Sequence, residues 1–288
     1  MLWFFLALAA ALTQAGNDVI SKRFFGDLTA YEMGLTRLLF AMPFLLVGLV
    51  YVPWPELDRT FWLCMASAMP LEVIAFLCYM RAIKVSPLSL TLPFLAFTPA
   101  LVILTGFIIL DEELNMYGAM GIMLIVTGSY TLNLSSAKRD FFAPFLAIYK
   151  EQGSRLMLMT AFLYSLTSAI GKLAISHSSP QFFGVIYFLF LGLIIIALFP
   201  LMPGARIDNL FKRPLIGLIA GLVLATMIFC HTYAISLVQV AYMISVKRTS
   251  LLFGVIFGWL VFKEENIKER LLGVSIMMAG VMIIGFLG

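Results

Sequence analysis

Ten windows of about twenty apolar residues follow one another through this 288-residue chain, separated by short polar breaks. They run approximately 1–21, 29–51, 60–82, 86–110, 116–134, 155–176, 180–200, 214–236, 239–262 and 269–287. About twenty such residues in a helix cross the hydrocarbon core of a bilayer, where only helices and closed barrels satisfy their own backbone. The chain is 62% hydrophobic and 12% charged, against roughly a half and a quarter in soluble domains. It is expected to fold as an all-α polytopic membrane protein with ten transmembrane helices. The breaks carry turn chemistry at Gly26-Asp27, Pro53-Trp54-Pro55, Ser86-Pro87, Ser178-Ser179-Pro180 and Pro203-Gly204. The first segment has no basic region before it and contains Gln14, Asn17 and Asp18, so it reads as a span and not a cleavable signal.

A net charge of +4 with a pI near 9.0 raises the question of nucleic acid. The basic residues, however, fall in short connections, which is a topology signal and excludes a nucleic-acid stripe. Connections one, three, five, seven and nine hold fourteen Lys and Arg residues; those on the other side hold Arg59 alone. This places the odd connections in the cytoplasm and both termini outside, for a multi-pass protein of the cytoplasmic (inner) membrane. Cys64, Cys78 and Cys230 lie in separate spans without metal-ligand or disulfide spacing. No cofactor is expected, and the absence of a nucleotide-binding motif removes ATP as direct driver.

The longest polar connection, around Ser135–Arg155, divides the chain into residues 1–137, a connecting loop 138–154, and residues 155–288. The halves are related. At an offset of 152, Ala82-Ile83 falls on Ala234-Ile235, Gly106 on Gly258, Glu112-Glu113 on Glu264-Glu265, Gly121 on Gly273 and Gly128 on Gly280. At an offset of 150, Lys22 falls on Lys172, Gly34 on Gly184, Leu39-Phe40 on Leu189-Phe190 and Pro53 on Pro203. Five spans per half is odd, so the two repeats take opposite orientations, the plan of secondary transporters that bind substrate between halves near the midplane.

Lys247-Arg248 interrupts the ninth window. A cation at the bilayer centre costs about 3 kcal/mol on the insertion scale and normally faces the bundle interior or a wet cavity. At 1.5 Å per residue the pair lies roughly 12–14 Å from the start of its helix, too deep for easy snorkelling. Arg offers a planar fork to phosphate or carboxylate and Lys a compact charge. The bland alternative is an internal ion pair with Glu72 or Asp18. Neighbouring helix positions point about 100° apart, so both cations reach one ligand only at a cavity edge or where the helix is distorted.

These features together resemble the EamA-type members of the drug/metabolite transporter superfamily. The resemblance rests on Asn17 and Lys22 ending helix one, Arg37-Leu38-Leu39-Phe40, and Ala82-Ile83 with Ser86-Pro87. It rests also on the acidic ends Leu110-Asp111-Glu112-Glu113 and Phe262-Lys263-Glu264-Glu265. It implies helices one to four and six to nine around a central cavity, with five and ten outside it. Val246-Lys247-Arg248 is similar to the Lys-Arg doublet with which plastid phosphate translocators hold a substrate phosphate, which would make this pair a phosphate clamp.

The other candidates are weighed from residue type and spacing. Glu72, two residues after Pro70, is a proton carrier, a counter-ion for Lys247 or Arg248, or a hydrogen-bond partner. Gln14, Asn17 and Asp18 share part of a helix face; they line the cavity, or Asp18 caps the helix end beside Lys22. Arg37 has a cavity role or a structural one, with Glu32 as a poorly spaced partner. Tyr79 and His231 are repeat mates, and Tyr242 precedes Lys247 by five residues; all three are kept as site residues, ahead of Tyr164, Tyr187 and Tyr233. Pro87, Pro93 and Pro99 predict a bent helix four, whereas the cationic helix, free of proline, should be straighter. Gly121, Gly128, Gly273 and Gly280 suit close helix packing.

The leading function is a secondary transporter moving a small anionic metabolite, phosphorylated or not, by alternating access, with or without a coupling proton and as a monomer. The alternatives are a flippase for a lipid-linked phosphate and a proton-coupled exporter of amino acids or amines. No Ser/His/Asp cluster or metal spacing supports an enzyme.

Overall fold

Hydrophobic length and helix caps set the architecture. The structure is a computed structural model, and it describes residues 1–86, 92–134, 151–262 and 267–287. The long helices are α1 (Leu2–Phe24), α2 (Ala30–Tyr51), α3 (Arg59–Val85), α6 (Gln152–Ser176), α7 (Pro180–Leu198) and α8 (Pro214–Ser236). Six helical stretches, the one starting with α7 running to Leu201, are long and apolar enough to cross a membrane among the described residues. Five further helices among the described residues complete the bundle: α4 (Phe97–Leu110), α5 (Met116–Leu134), α9 (Val240–Lys247), α10 (Ser250–Phe262) and α11 (Ile267–Leu287).

Side chains start the helices where the sequence supplies an acceptor. Thr29 and Glu32 form a reciprocal capping box on α2, with Glu32 accepting from the Thr29 amide at 2.7 Å. Asp58 accepts from the Phe61 amide at 2.9 Å at the start of α3 and meets His177 at 2.7 Å. The Phe61 amide holds the Asp58 carboxyl below its usual range, with His177 a lesser contributor. This cap is therefore in place above the carboxyl's ordinary pKa and lost as pH falls through the lowered one. Glu151 caps α6 by accepting from Ser154 N at 2.6 Å, so α6 begins three residues inside the connection expected at 138–154. Residues 138–150 of that connection, and Pro87, Lys263, Glu264 and Glu265, lie outside the described residues.

Glu32 does not pair with Arg37. Its carboxylate also accepts from Arg206 N at 2.8 Å and Asn209 Nδ2 at 2.6 Å, tying the start of α2 to the connection after α7. Glu32 is 1% exposed. Glu32→Ala strips one buried acceptor from three donors and should lower unfolding stability by about 2–4 kcal/mol in a thermal melt of detergent-solubilised protein.

The fourth and ninth windows are both interrupted. Leu92–Ala96 is a 3-10 turn that gives way to α4 at Phe97, with Pro99 in its first turn, where proline is tolerated. The cationic helix, expected to be straighter, breaks between Lys247 and Ser250. Thr249 N bonds to Val246 O at 3.0 Å and Leu251 N to Arg248 O at 3.0 Å, replacing the i−4 ladder with i−3 bonds. Two hydroxyls bond to the backbone around it: Ser245 Oγ donates to Ala241 O at 2.6 Å and Thr249 Oγ1 to Val246 O at 2.7 Å. Such back-bonding bends helices. At an offset of 152, the restart at Ser250 corresponds to Thr98, one residue inside α4.

Two contacts bring backbones together. A Cβ on Gly221 of α8 would lie 2.1 Å from Phe40 O of α2. On the opposite side α5 and α11 touch through glycines: a Cβ on Gly128 would meet Met277 N at 2.6 Å, and one on Gly280 would meet Gly121 O at 2.5 Å.

Candidate functional site

The helices enclose a cavity of about 170 Å³, room for about a dozen waters or one small metabolite. Its walls come from α1–α3, the 92–96 turn and α6–α10, and from no described residue of α5 or α11. Eight of the ten predicted site residues line it: Gln14, Asp18, Arg37, Glu72, Tyr79, His231, Lys247 and Arg248.

The floor is a polar cluster about six residues, or ~9 Å, from the end of α1. Asp18 is held by Tyr79 Oη at 2.6 Å and by Gln14 Nε2 at 3.1 Å to each oxygen. Arg37 Nη1 approaches the same carboxylate at a longer 3.4 Å. Asp18 therefore faces the cavity and is not an end cap, and its ion partner is Arg37. Glu72, 8% exposed, receives Tyr187 Oη at 3.3 Å.

The cation pair sits where the ninth window breaks, and the break lets two adjacent residues serve one chamber. Arg248 is 6% exposed and its guanidinium donates to Thr98 Oγ1 at 3.1 Å, reaching the other interrupted window. Lys247 Nζ lies 3.4 Å from His231 Nδ1, and the exposed part of its surface is cavity wall. Neither cation has a carboxylate oxygen within 4.0 Å among the described residues, so the internal ion pair with Glu72 or Asp18 is not formed.

Two expected site residues lie elsewhere. Tyr242 points to the α4–α5 connection: its hydroxyl accepts from Asn115 N at 3.2 Å, and a Cβ on Gly118 would fall 2.1 Å from it. Five residues turn a helix by about 140°, which takes Tyr242 off the Lys247 face. Tyr242→Phe should leave ligand binding unchanged and lower thermal stability by about 1 kcal/mol. Asn17, 1% exposed, donates to Ala220 O at 3.0 Å and fastens α1 to α8. It stands one position, about 100°, around from Asp18.

In place of these, Tyr164, Tyr187, Thr167 and Ser168 line the cavity. The repeat register carried the signal. At an offset of 150, Gln14 falls on Tyr164, Asp18 on Ser168 and Arg37 on Tyr187; at 152, Tyr79 falls on His231, Met80 on Thr232 and Leu95 on Lys247. All twelve line the cavity.

The same register marks two contacts toward opposite ends of the bundle. Lys22 Nζ donates to Ser86 O at 3.2 Å, and Lys172 Nζ donates to Val238 O, the mate of Ser86. Lys172 also pairs with Glu112, whose second oxygen accepts from Val240 N at 2.8 Å, at the start of α9. Asp111 puts Glu112 there by adopting a left-handed φ of 54° after α4, a conformation Asp tolerates.

A transporter from Archaeoglobus fulgidus described as uncharacterised is 26% identical over 290 residues, covering 99% of this chain and 98% of its own length. A solved crystal structure matches the fold with a TM-score of 0.71 and 13% identity, over 99% of both chains. The profile of the EamA-like transporter family matches residues 1–134 and 152–286. With nearly the whole chain covered and apolar helices packed around a polar chamber, the chain belongs to the EamA-like transporter family and is a multi-pass membrane transporter.

Proposed function

We propose that this protein is a secondary transporter for a small anion, working by alternating access in the cytoplasmic membrane. One observation carries the reading: Lys247 and Arg248 reach the cavity at a helix break with no carboxylate oxygen within 4.0 Å among the described residues. Basic side chains facing a low-dielectric chamber favour a bound anion by far more than they would in water. Asp18 does not cancel them, since Tyr79, Gln14 and Arg37 already occupy it.

The proposal includes ten spans in two inverted five-helix repeats, residues 1–137 and 155–288 joined by 138–154, with both termini outside. The paired cavity positions and the matched interruptions near Thr98 and Ser250 support that plan. Discontinuous helices meeting at the midplane are the device by which such transporters offer backbone and side chains to a charged substrate.

A second reading, proton-coupled export of amines or amino acids, is favoured by Glu72, a buried carboxylate with a neutral hydroxyl partner and no cation within 4.0 Å among the described residues. A thermal-shift screen of purified protein separates the readings, using phosphorylated metabolites, carboxylates, lipid phosphates and amines. Stabilisation by soluble anions that survives Glu72→Gln supports the first. Stabilisation by amines that Glu72→Gln abolishes establishes the second, and a response to lipid phosphates alone makes the protein a flippase.

A further inference from the structure

Arg37 is poorly used by the protein that buries it. It is 3% exposed, yet among the described residues only Nη1 makes hydrogen bonds, at 3.4 Å to Asp18 Oδ1 and 3.9 Å to Met80 Sδ. Its Nε is shut away from water without a partner. A guanidinium has five N–H donors, and buried ones left unmade cost more than formed ones contribute. The Asp18 carboxylate does not depend on Arg37, because Tyr79 holds it at 2.6 Å and Gln14 at 3.1 Å. A guanidinium serving only Asp18 would be expected to meet it bidentately and closer, at about 2.7–2.9 Å.

Arg248 carries the same signature from the other half of the chain. It makes one 3.1 Å bond to Thr98, and its Nε is also buried without a partner. Both arginines line the same cavity, as does Tyr164. Tyr164 lies 6.4 Å, ring to ring, from Tyr79. The chamber thus has two guanidinium-bearing poles: Arg37, which shares the floor cluster with the Asp18 carboxylate, and Lys247-Arg248 at the helix break.

We propose that Arg37 is a second anion subsite and that the transported molecule carries two acidic groups on one small skeleton, one for each pole. This rests on the anion-transport reading and narrows it: a lone inorganic anion or a monocarboxylate leaves one pole unmatched. Carboxylate and phosphate share the chemistry that a guanidinium recognises. The substrate is therefore a dicarboxylate or a phosphorylated carboxylic acid.

The test is isothermal titration of purified protein with four probes: succinate, phosphoglycolate, butyrate and inorganic phosphate. The wild type should bind succinate or phosphoglycolate about ten- to a hundredfold more tightly than butyrate or phosphate, the worth of one charged hydrogen-bonding partner. Whichever of the two binds tighter identifies the second acidic group. Arg37→Gln should bring the diacid down to the affinity of the single anions and leave those unchanged, whereas Asp18→Asn should keep the diacid preference. Equal affinity for diacids and single anions in the wild type overturns the proposal, with no variant needed, as does an equal loss of all ligands in Arg37→Gln. Where Arg37→Gln fails to fold, Arg37→Lys serves, with a reduced but surviving diacid preference expected. Binding of single anions that is lost in Lys247→Ala/Arg248→Ala, with no diacid preference, overturns this inference alone. Failure of every anion to bind overturns the broader reading.

Discussion

Replacing Lys247 and Arg248 together by alanine is expected to abolish anion binding in a protein that still folds. Each charged hydrogen bond to a buried anion contributes about 1.5–3 kcal/mol, so losing both should weaken affinity by at least a hundredfold and up to about ten-thousandfold. The stability readout separates a ligand site from a structural one. A cation that held helices together through a carboxylate would leave that carboxylate stranded when removed, at about 3–5 kcal/mol. Among the described residues neither has such a partner, so removal strands none of their carboxylates. Lys247→Met, which keeps the packing and deletes the charge, should raise the melting temperature of the ligand-free protein, because the desolvation penalty of a buried ammonium disappears. Arg248→Ala surrenders the 3.1 Å bond to Thr98, and its gain should be smaller. Thermal unfolding with and without ligand checks both statements. A double variant that melts several degrees lower without ligand would make the pair structural.

The largest expected loss of stability comes from Gly221→Ala. The new methyl would stand 2.1 Å from Phe40 O, 2.3 Å from Phe40 C and 2.7 Å from Ala41 N. These are backbone atoms, which cannot rotate aside as a side chain would. Relief requires α2 and α8 to separate along their length, opening gaps on either side of the contact. Overpacking in well-filled interiors costs about 1–3 kcal/mol when side chains can shift, and a clash confined to backbone should exceed that. Gly16→Ala is the control, since a Cβ there meets nothing within 4 Å, and its better helix propensity should make it neutral or slightly stabilising. Melting curves that place the two variants together would refute the packing argument.

Much of the fold was legible because hydropathy and capping are local. Windows of twenty apolar residues became helices, and Thr29 with Glu32, Asp58 and Ser179 opened α2, α3 and α7 as their side chains dictate. The site was legible to the depth that burial of charge allows: Asp18, Arg37, Glu72, Lys247 and Arg248 have little reason to be in a membrane except at a polar chamber. What escaped was direction around a helix. Tyr242 seemed near Lys247 in sequence but faces Asn115, while Tyr187 was passed over although it is the mate of Arg37. The interruption of the ninth window escaped because it uses no proline or glycine. It is accompanied by Ser245 and Thr249 back-bonding and by Arg248 reaching Thr98, a residue 150 positions away. Single-residue propensity holds no record of such a partner.

The glycine contact between α5 and α11 has a mechanical consequence. Helices separated by interlocking side chains can slip by trading one rotamer for another. Those touching carbonyl to Cα, as at Gly121, Gly128 and Gly280, have no intervening layer to shear. This pair also contributes no described residue to the chamber. In the alternating-access cycle proposed above, this pair has less freedom to slide than helices packed through side chains. A methyl group added at Gly121 or Gly280 would have to push α5 and α11 apart, as one at Gly221 would push α2 and α8, but at a contact that lines no part of the chamber.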